Sequence, residues 1–217
     1  MVELRKRKAP TQLPVAEKRT RKGQRSTTIP KGVLQENESP TVSEGVLEVG
    51  NKIILDGFGG EIETNDGIKT TLNKLVNESK SGVVLFTYPR ASTPGCKSND
   101  RLVVIMYQQA CMFRDNYDYL TSTGFSIYGL SADSPRANTT FKAKQSLPYP
   151  LLCDTTSSLI AALGFKKAPK GTTRGIFAVD KEGTVLLLQP GGPDATVEAM
   201  RQLIARNSSR SSSESGI

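Results

Sequence analysis

Apolar positions between residues 46 and 205 fall into short runs separated by Gly, Pro, Asn and Asp, and their spacing alternates between a strand-like and a helix-like period. VVLFTY (83–88) and FSIYGLS (125–131) are near-continuous apolar runs, the pattern of buried strands. VLEVGNKIILDGF (46–58) and a second segment ending near Gly67 read as small strands or loops. TLNKLVNES (71–79) predicts a weak helix, and CMFRDNYDYL (111–120) sets Met112, Phe113, Tyr119 and Leu120 at helical spacing. SPRANTTFKAKQS (134–146) opens on a capping Ser134 followed by Pro135, which suits a first helical turn. LPYPLLCD (147–154) predicts a Pro-bounded strand, and DTTSSLIAALG (154–164) a helix running from an Asp N-cap to a Gly stop. TTRGIFAVD and TVLLLQ flank the turn KEG (181–183) as a hairpin. Asp194 then predicts the cap of a last amphipathic helix with Val197, Met200, Leu203 and Ile204 on one face.

The order strand, helix, strand, helix, strand, helix, hairpin, helix predicts a three-layer α/β domain. Its mixed sheet would have parallel strands joined by crossover helices and an antiparallel last hairpin. No internal repeat is visible.

Composition changes the picture at the ends. The apolar share is 36% of 217 residues, low for a compact protein, so part of the chain is expected not to fold. Residues 1–31 carry ten Lys/Arg against Glu3 and Glu17; the whole chain has 29 basic and 21 acidic residues, which leaves 19 of each beyond residue 31. Only the arm therefore has excess charge to attract nucleic acid. Within it, RKRK (5–8) and KRTRK (18–22) have the layout of a bipartite nuclear-import signal, read by an import receptor through charge on an extended chain. The alternative is a solvated basic arm with no address. The expected organisation is a disordered basic arm over 1–45, a domain over 46–205 and a Ser-rich disordered tail over 206–217. Three cysteines are too few for a disulfide scaffold, and neither a signal-peptide core nor an 18-residue apolar span is present, so a soluble, monomeric intracellular protein is expected.

The absence of histidine restricts the chemistry most. It removes Ser-His-Asp and Cys-His catalysis, His-containing zinc sites and His-ligated haem together. What remains is Cys, Arg, Thr, Ser and carboxylates. YPRASTPGC (88–96) delivers Cys96 off the end of an apolar strand, where unpaired N–H groups at the start of a helix favour thiolate over thiol. Gly95 permits close backbone approach, Pro94 restricts the loop, and Thr93 places a hydroxyl three residues before the sulfur. Such a pocket suits a small oxygen ligand. Cys153, in PLLCD, reads as a small buried hydrophobe.

TPGC, QACMFRDNY (109–117), YGLSADS (128–134), LPYPLLCD (147–154) and RGIFAVDKEG (174–183) together resemble the peroxiredoxins. The resemblance is to the class of bacterioferritin comigratory protein and plant peroxiredoxin Q, including its fungal nuclear branch, and spans roughly 46–205. It implies a thioredoxin-like fold and a peroxidatic Cys96 that attacks a hydroperoxide and becomes a sulfenic acid. It further implies that Thr93 bonds the peroxide, that Pro94 shields the site with Gly95 beside it, and that Arg174 stabilises thiolate and departing oxygen. Cys111 matches the resolving cysteine, whose disulfide with Cys96 thioredoxin reduces. No metal, haem, flavin or other cofactor is implied. Without the resemblance, Arg174 would read as an ordinary surface arginine at the start of a strand.

One feature departs from that class. Its two cysteines stand as C-x4-C, whereas fourteen residues separate Cys96 from Cys111; removing SNDRLVVIMY (98–107) restores CKQQAC. On one continuous helix the two sulfurs would be offset by ~22 Å along the axis instead of ~7.5 Å. Either Ser98, Asn99 and Asp100 start a bulged loop and a fresh helix begins near Gln108, or the segment is translated intron that the mature protein lacks. Two other functions stay open: a one-cysteine peroxidase resolved by an external thiol, and an inactive peroxidase body that binds chromatin through its arm. The nucleus, with the cytoplasm as a second site, is the expected location.

Overall fold

The computed structural model describes residues 47–90, 101–169 and 171–214. The elements are β1 (Glu61–Thr64), β2 (Lys69–Thr71), α1 (Leu72–Glu78), β3 (Gly82–Thr87), α2 (Arg101–Asp115), α3 (Tyr117–Thr121) and β4 (Phe125–Ser131), followed by α4 (Pro135–Gln145), β5 (Leu151–Cys153), α5 (Ser158–Ala162), β6 (Gly175–Asp180), β7 (Val185–Pro190) and α6 (Pro193–Glu214). The strands form one seven-stranded sheet in the order β2-β1-β5-β4-β3-β6-β7. β3, β4 and β5 run parallel in the middle, and antiparallel pairs flank them on both sides.

Alternation along the strands separates two cores. Val84, Phe86, Ile127, Ile176 and Ala178 face α2, α4 and α6, where Ala110, Phe113, Phe141, Val197 and Met200 meet them. Val83, Leu85, Leu130, Phe177 and Val179 face α1 and α5 through Leu72, Leu75, Val76, Leu159 and Ile160. This is the expected three-layer α/β architecture with a mixed sheet, thioredoxin-like in form. The apolar face of α6 is the one read from the sequence: Val197, Met200, Leu203 and Ile204 are all buried.

Several local features differ from the expectation, each for a physical reason. The segment ending near Gly67 is the first half of a hairpin, because Gly67 at φ +81° turns the chain so that β2 pairs back on β1. The helix expected over 154–164 has only five residues. Asp154 is not its N-cap but holds it from outside, its two carboxylate oxygens accepting from the Ser158 and Ile160 amides at 3.0 and 2.8 Å. Asp194 lies inside the first turn of α6, which starts at Pro193, and favours the helix by its charge. That helix continues to Glu214, past the boundary at 206 drawn from Ser-rich composition; each residue added to a nucleated helix gains one hydrogen bond. Among the described residues, no helix is long and apolar enough to cross a membrane.

Candidate active site

The parallel strands end side by side, and the chain leaving β3 runs into YPRASTPGC. Clefts beyond the carboxyl ends of parallel strands are where α/β sheets bind ligands. Thr93, Pro94, Gly95 and Cys96 lie outside the described residues. The structure does show what holds their approach and what Arg174 and Cys111 contact.

Tyr88 opens the motif and is 1% exposed, with its hydroxyl donating to Asn138 Oδ1 at 2.9 Å. The Asn138 amide donates to Ser131 Oγ at 3.3 Å and to Cys153 Sγ at 3.1 Å. The residue just after β3 and the last residues of β4 and β5 are thereby tied to α4 through one side chain. Burial pushes the Cys153 thiol up from its ordinary range, against the Asn138 hydrogen bond, which favours thiolate. Cys153 therefore stays protonated at neutral pH and is a structural residue.

Arg174 immediately precedes β6 and is half-buried. Its Nη1 donates to Gln109 Oε1 at 2.9 Å. Gln109 is wholly buried, and its Nε2 donates to Thr196 Oγ1 at 3.0 Å, which in turn donates to the Pro193 carbonyl at 2.8 Å. Among the described residues Arg174 has no carboxylate partner, and burial pulls its pKa below the usual arginine value without discharging it. A half-desolvated guanidinium whose partner is a neutral amide has donors left for an anionic or peroxidic oxygen. The sequence reading took Gln109 only as part of QAC and missed its role. A signal was present: Gln109 stands four residues before Phe113, on the face of the helix that meets the core.

Cys111 is half-buried and unbridged. It is two residues from Gln109, so the two side chains leave α2 about 200° apart and Cys111 faces away from Arg174. Its Sγ donates to Gln145 Oε1 at 3.5 Å, Arg114 Nη1 donates to the Gln145 carbonyl at 2.7 Å, and Tyr149 Oη donates to the Ala110 carbonyl at 2.6 Å. The turn carrying Cys111 is thus fastened to the end of α4 and the loop after it.

Of the two alternatives for the extra segment, a fresh helix beginning near Gln108 is absent, because α2 runs unbroken from Arg101 to Asp115. No Gly or Pro interrupts that stretch, so helix propagates through it. Tyr107, the last residue of the extra segment, packs its ring on Phe141 with centroids 5.5 Å apart and lies under Lys144 Nζ. Cys111 stands ten residues, ~15 Å of axial rise, beyond the described start of α2. Five residues from Cys96 to Arg101 span at most ~17 Å. A disulfide, whose Cα atoms stand ~5.5 Å apart, therefore needs those five residues to run back along the helix or α2 to unwind.

The model of the AhpC/TSA family matches residues 58–187. This chain is a peroxiredoxin of that family. Peroxiredoxin bcp1 of Schizosaccharomyces pombe is 35% identical over 167 residues, which cover 74% of this chain and 75% of the relative. A putative peroxiredoxin bcp of Coxiella burnetii is 31% identical over 66% of this chain and 89% of its own length. The crystal structure of peroxidoxin BcpB from Mycobacterium tuberculosis superposes with a TM-score of 0.61 at 25% identity, covering 74% of this chain and 97% of that one. The peroxiredoxin assignment makes this chain a thiol peroxidase.

Proposed function

We propose that this peroxiredoxin reduces hydrogen peroxide and organic hydroperoxides at Cys96, is resolved by Cys111 and takes its electrons from thioredoxin. The observation that carries the reading is Arg174, half-buried, with no carboxylate partner among the described residues and fixed by Gln109. In the proposed cycle the Cys96 thiolate attacks the terminal peroxide oxygen. The S–O bond forms as the O–O bond breaks, the departing alkoxide or hydroxide takes a proton to leave as alcohol or water, and Cys96 becomes a sulfenic acid. Thr93 holds the peroxide, Pro94 and Gly95 shape a dry pocket, and Arg174 offsets the charge on thiolate and leaving oxygen. The Cys111 thiol then displaces water from the sulfenic acid, and a dithiol of thioredoxin reduces the resulting disulfide. No metal, haem or flavin takes part.

The unbroken α2 favours a second reading for the last half of the cycle, in which an external thiol resolves Cys96. One experiment separates the readings: NADPH consumption coupled through thioredoxin reductase and thioredoxin, with peptide mapping under non-reducing conditions after one equivalent of peroxide. Coupled turnover with a 96–111 disulfide is expected. A mixed disulfide at Cys96 would establish the external thiol. No turnover, together with salt-sensitive DNA affinity lost on deleting residues 1–31, would establish the chromatin-binding alternative.

The domain limits suggest a basic arm over 1–45 ahead of the peroxidase body, and we place the protein in the nucleus on the strength of its two basic clusters. Full-length protein fused to a fluorescent reporter is expected to concentrate there, and deletion of residues 1–31 to disperse it. Equal distributions would refute the signal.

A further inference from the structure

Arg174, Gln109 and Thr196 form one chain of hydrogen bonds whose direction is fixed at both ends. An arginine can only donate, so the 2.9 Å bond from Arg174 Nη1 obliges Gln109 to present Oε1. A backbone carbonyl can only accept, so the 2.8 Å bond to Pro193 uses the single proton of the Thr196 hydroxyl. What the Thr196 oxygen offers Gln109 is therefore a lone pair, and Gln109 meets it with Nε2 at 3.0 Å. Gln109 and Thr196 are both without exposure.

The Thr196 end sets its direction without help from the other two. Its hydroxyl donates to the carbonyl three residues back on its own helix, a local bond that threonines make readily. That helix, α6, is held against α2, where Ala110 and Phe113 share a core with Val197 and Met200. The Arg174 backbone reaches the same place, its carbonyl accepting from the Gly191 amide at 3.0 Å just ahead of α6. An apolar side chain at 196 would remove the contact that tells the two ends of the Gln109 amide apart. A flipped amide turns N–H toward a guanidinium that has only N–H to offer.

We propose that Thr196 is a positioning residue: it orients the Gln109 amide, and through it the Arg174 guanidinium, without touching substrate. Its effect on a reaction rate rests on the peroxidase reading given above; the orientation itself does not. An arginine aimed beforehand has no side-chain rotation to freeze as charge develops.

The test compares Thr196→Val, which keeps the shape and removes the hydroxyl, with Thr196→Ser, which keeps the hydroxyl. Each is made with Gln109 and with Gln109→Glu, whose carboxylate offers Arg174 an oxygen whichever way it turns. Two quantities are measured on the full chain: rotation of the Arg174 guanidinium by NMR of isotope-labelled arginine, and stopped-flow oxidation by hydrogen peroxide. The Arg174 signals are those missing from Arg174→Met. Wild type and the serine variant are expected to show separate Nη signals and rates within about twofold of each other, while the valine variant shows averaged signals and oxidises about tenfold more slowly. With Gln109→Glu in place, the valine change should leave the signals separate and the rate within about twofold. A freely rotating Arg174 in wild type, or a valine variant with separate signals, overturns the proposal. A valine defect that Gln109→Glu does not relieve gives Thr196 a merely structural role and overturns it too. A wild-type chain that consumes no peroxide overturns the peroxidase reading alone, and the NMR signals still decide the positioning.

Discussion

Replacing Arg174 by Met is expected to slow oxidation by hydrogen peroxide on the order of 10²–10³-fold, the usual effect of removing one preorganised donor from developing negative charge. The same change should leave the fold nearly as stable as before. The guanidinium is half-buried, has no ion-pair partner among the described residues and is penalised by desolvation, so a Met of similar length removes a cost and keeps much of the contact. Gln109 loses its Oε1 partner and keeps Thr196, which limits the loss to about 1 kcal/mol. Arg174→Lys should recover only part of the rate, since an ammonium keeps the charge but cannot reproduce the planar fork. Second-order rates and melting curves measured side by side decide the point. A Met variant with an unchanged rate and a lowered melting temperature would make Arg174 a structural arginine.

Phe86→Ala is expected to be the most damaging core substitution. Phe86 sits on β3 with no exposure, stacked on Phe113 at 4.4 Å, edge-on to Tyr149 at 5.5 Å and 6.0 Å from Tyr88. These rings join the strand that leads into the active-site motif to the helix that carries Gln109 and Cys111. Truncation leaves a cavity among three aromatic neighbours that cannot collapse into it, at about 3–5 kcal/mol. Against a total of about 5–15 kcal/mol this is a large share, and the melting temperature should fall by roughly 10 °C. Denaturant unfolding should show a lower midpoint with an unchanged slope. A shift under 3 °C would mean that the aromatic cluster does not organise this layer.

Legibility in the sequence followed the range of the forces involved. β3 and β4 show as apolar runs, the 181–183 turn shows through Asp180 and Gly183, and α6 shows as a 3.6-residue stripe, because each signal is local. The β1–β2 hairpin was only half legible, since three-residue strands have too few positions for a period. The reach of Asp154 to Ile160 and the bond of Gln109 to Arg174 depend on partners six and 65 residues away, which no spacing encodes. Cys111 and Arg174 are candidates through the resemblance rather than through their neighbourhoods. That Cys111 and Gln109 point to opposite sides of α2 followed only from the unbroken helix.

The central claim is that this chain attacks peroxide with one sulfur. It is tested most directly by a single-turnover titration of the reduced full chain with hydrogen peroxide, without any reductant, followed by mass measurement. One equivalent consumed per chain, with the first oxidation on Cys96 and no consumption by Cys96→Ser, is the predicted result. Consumption that survives Cys96→Ser, or a wild-type chain that leaves the peroxide intact, would contradict it.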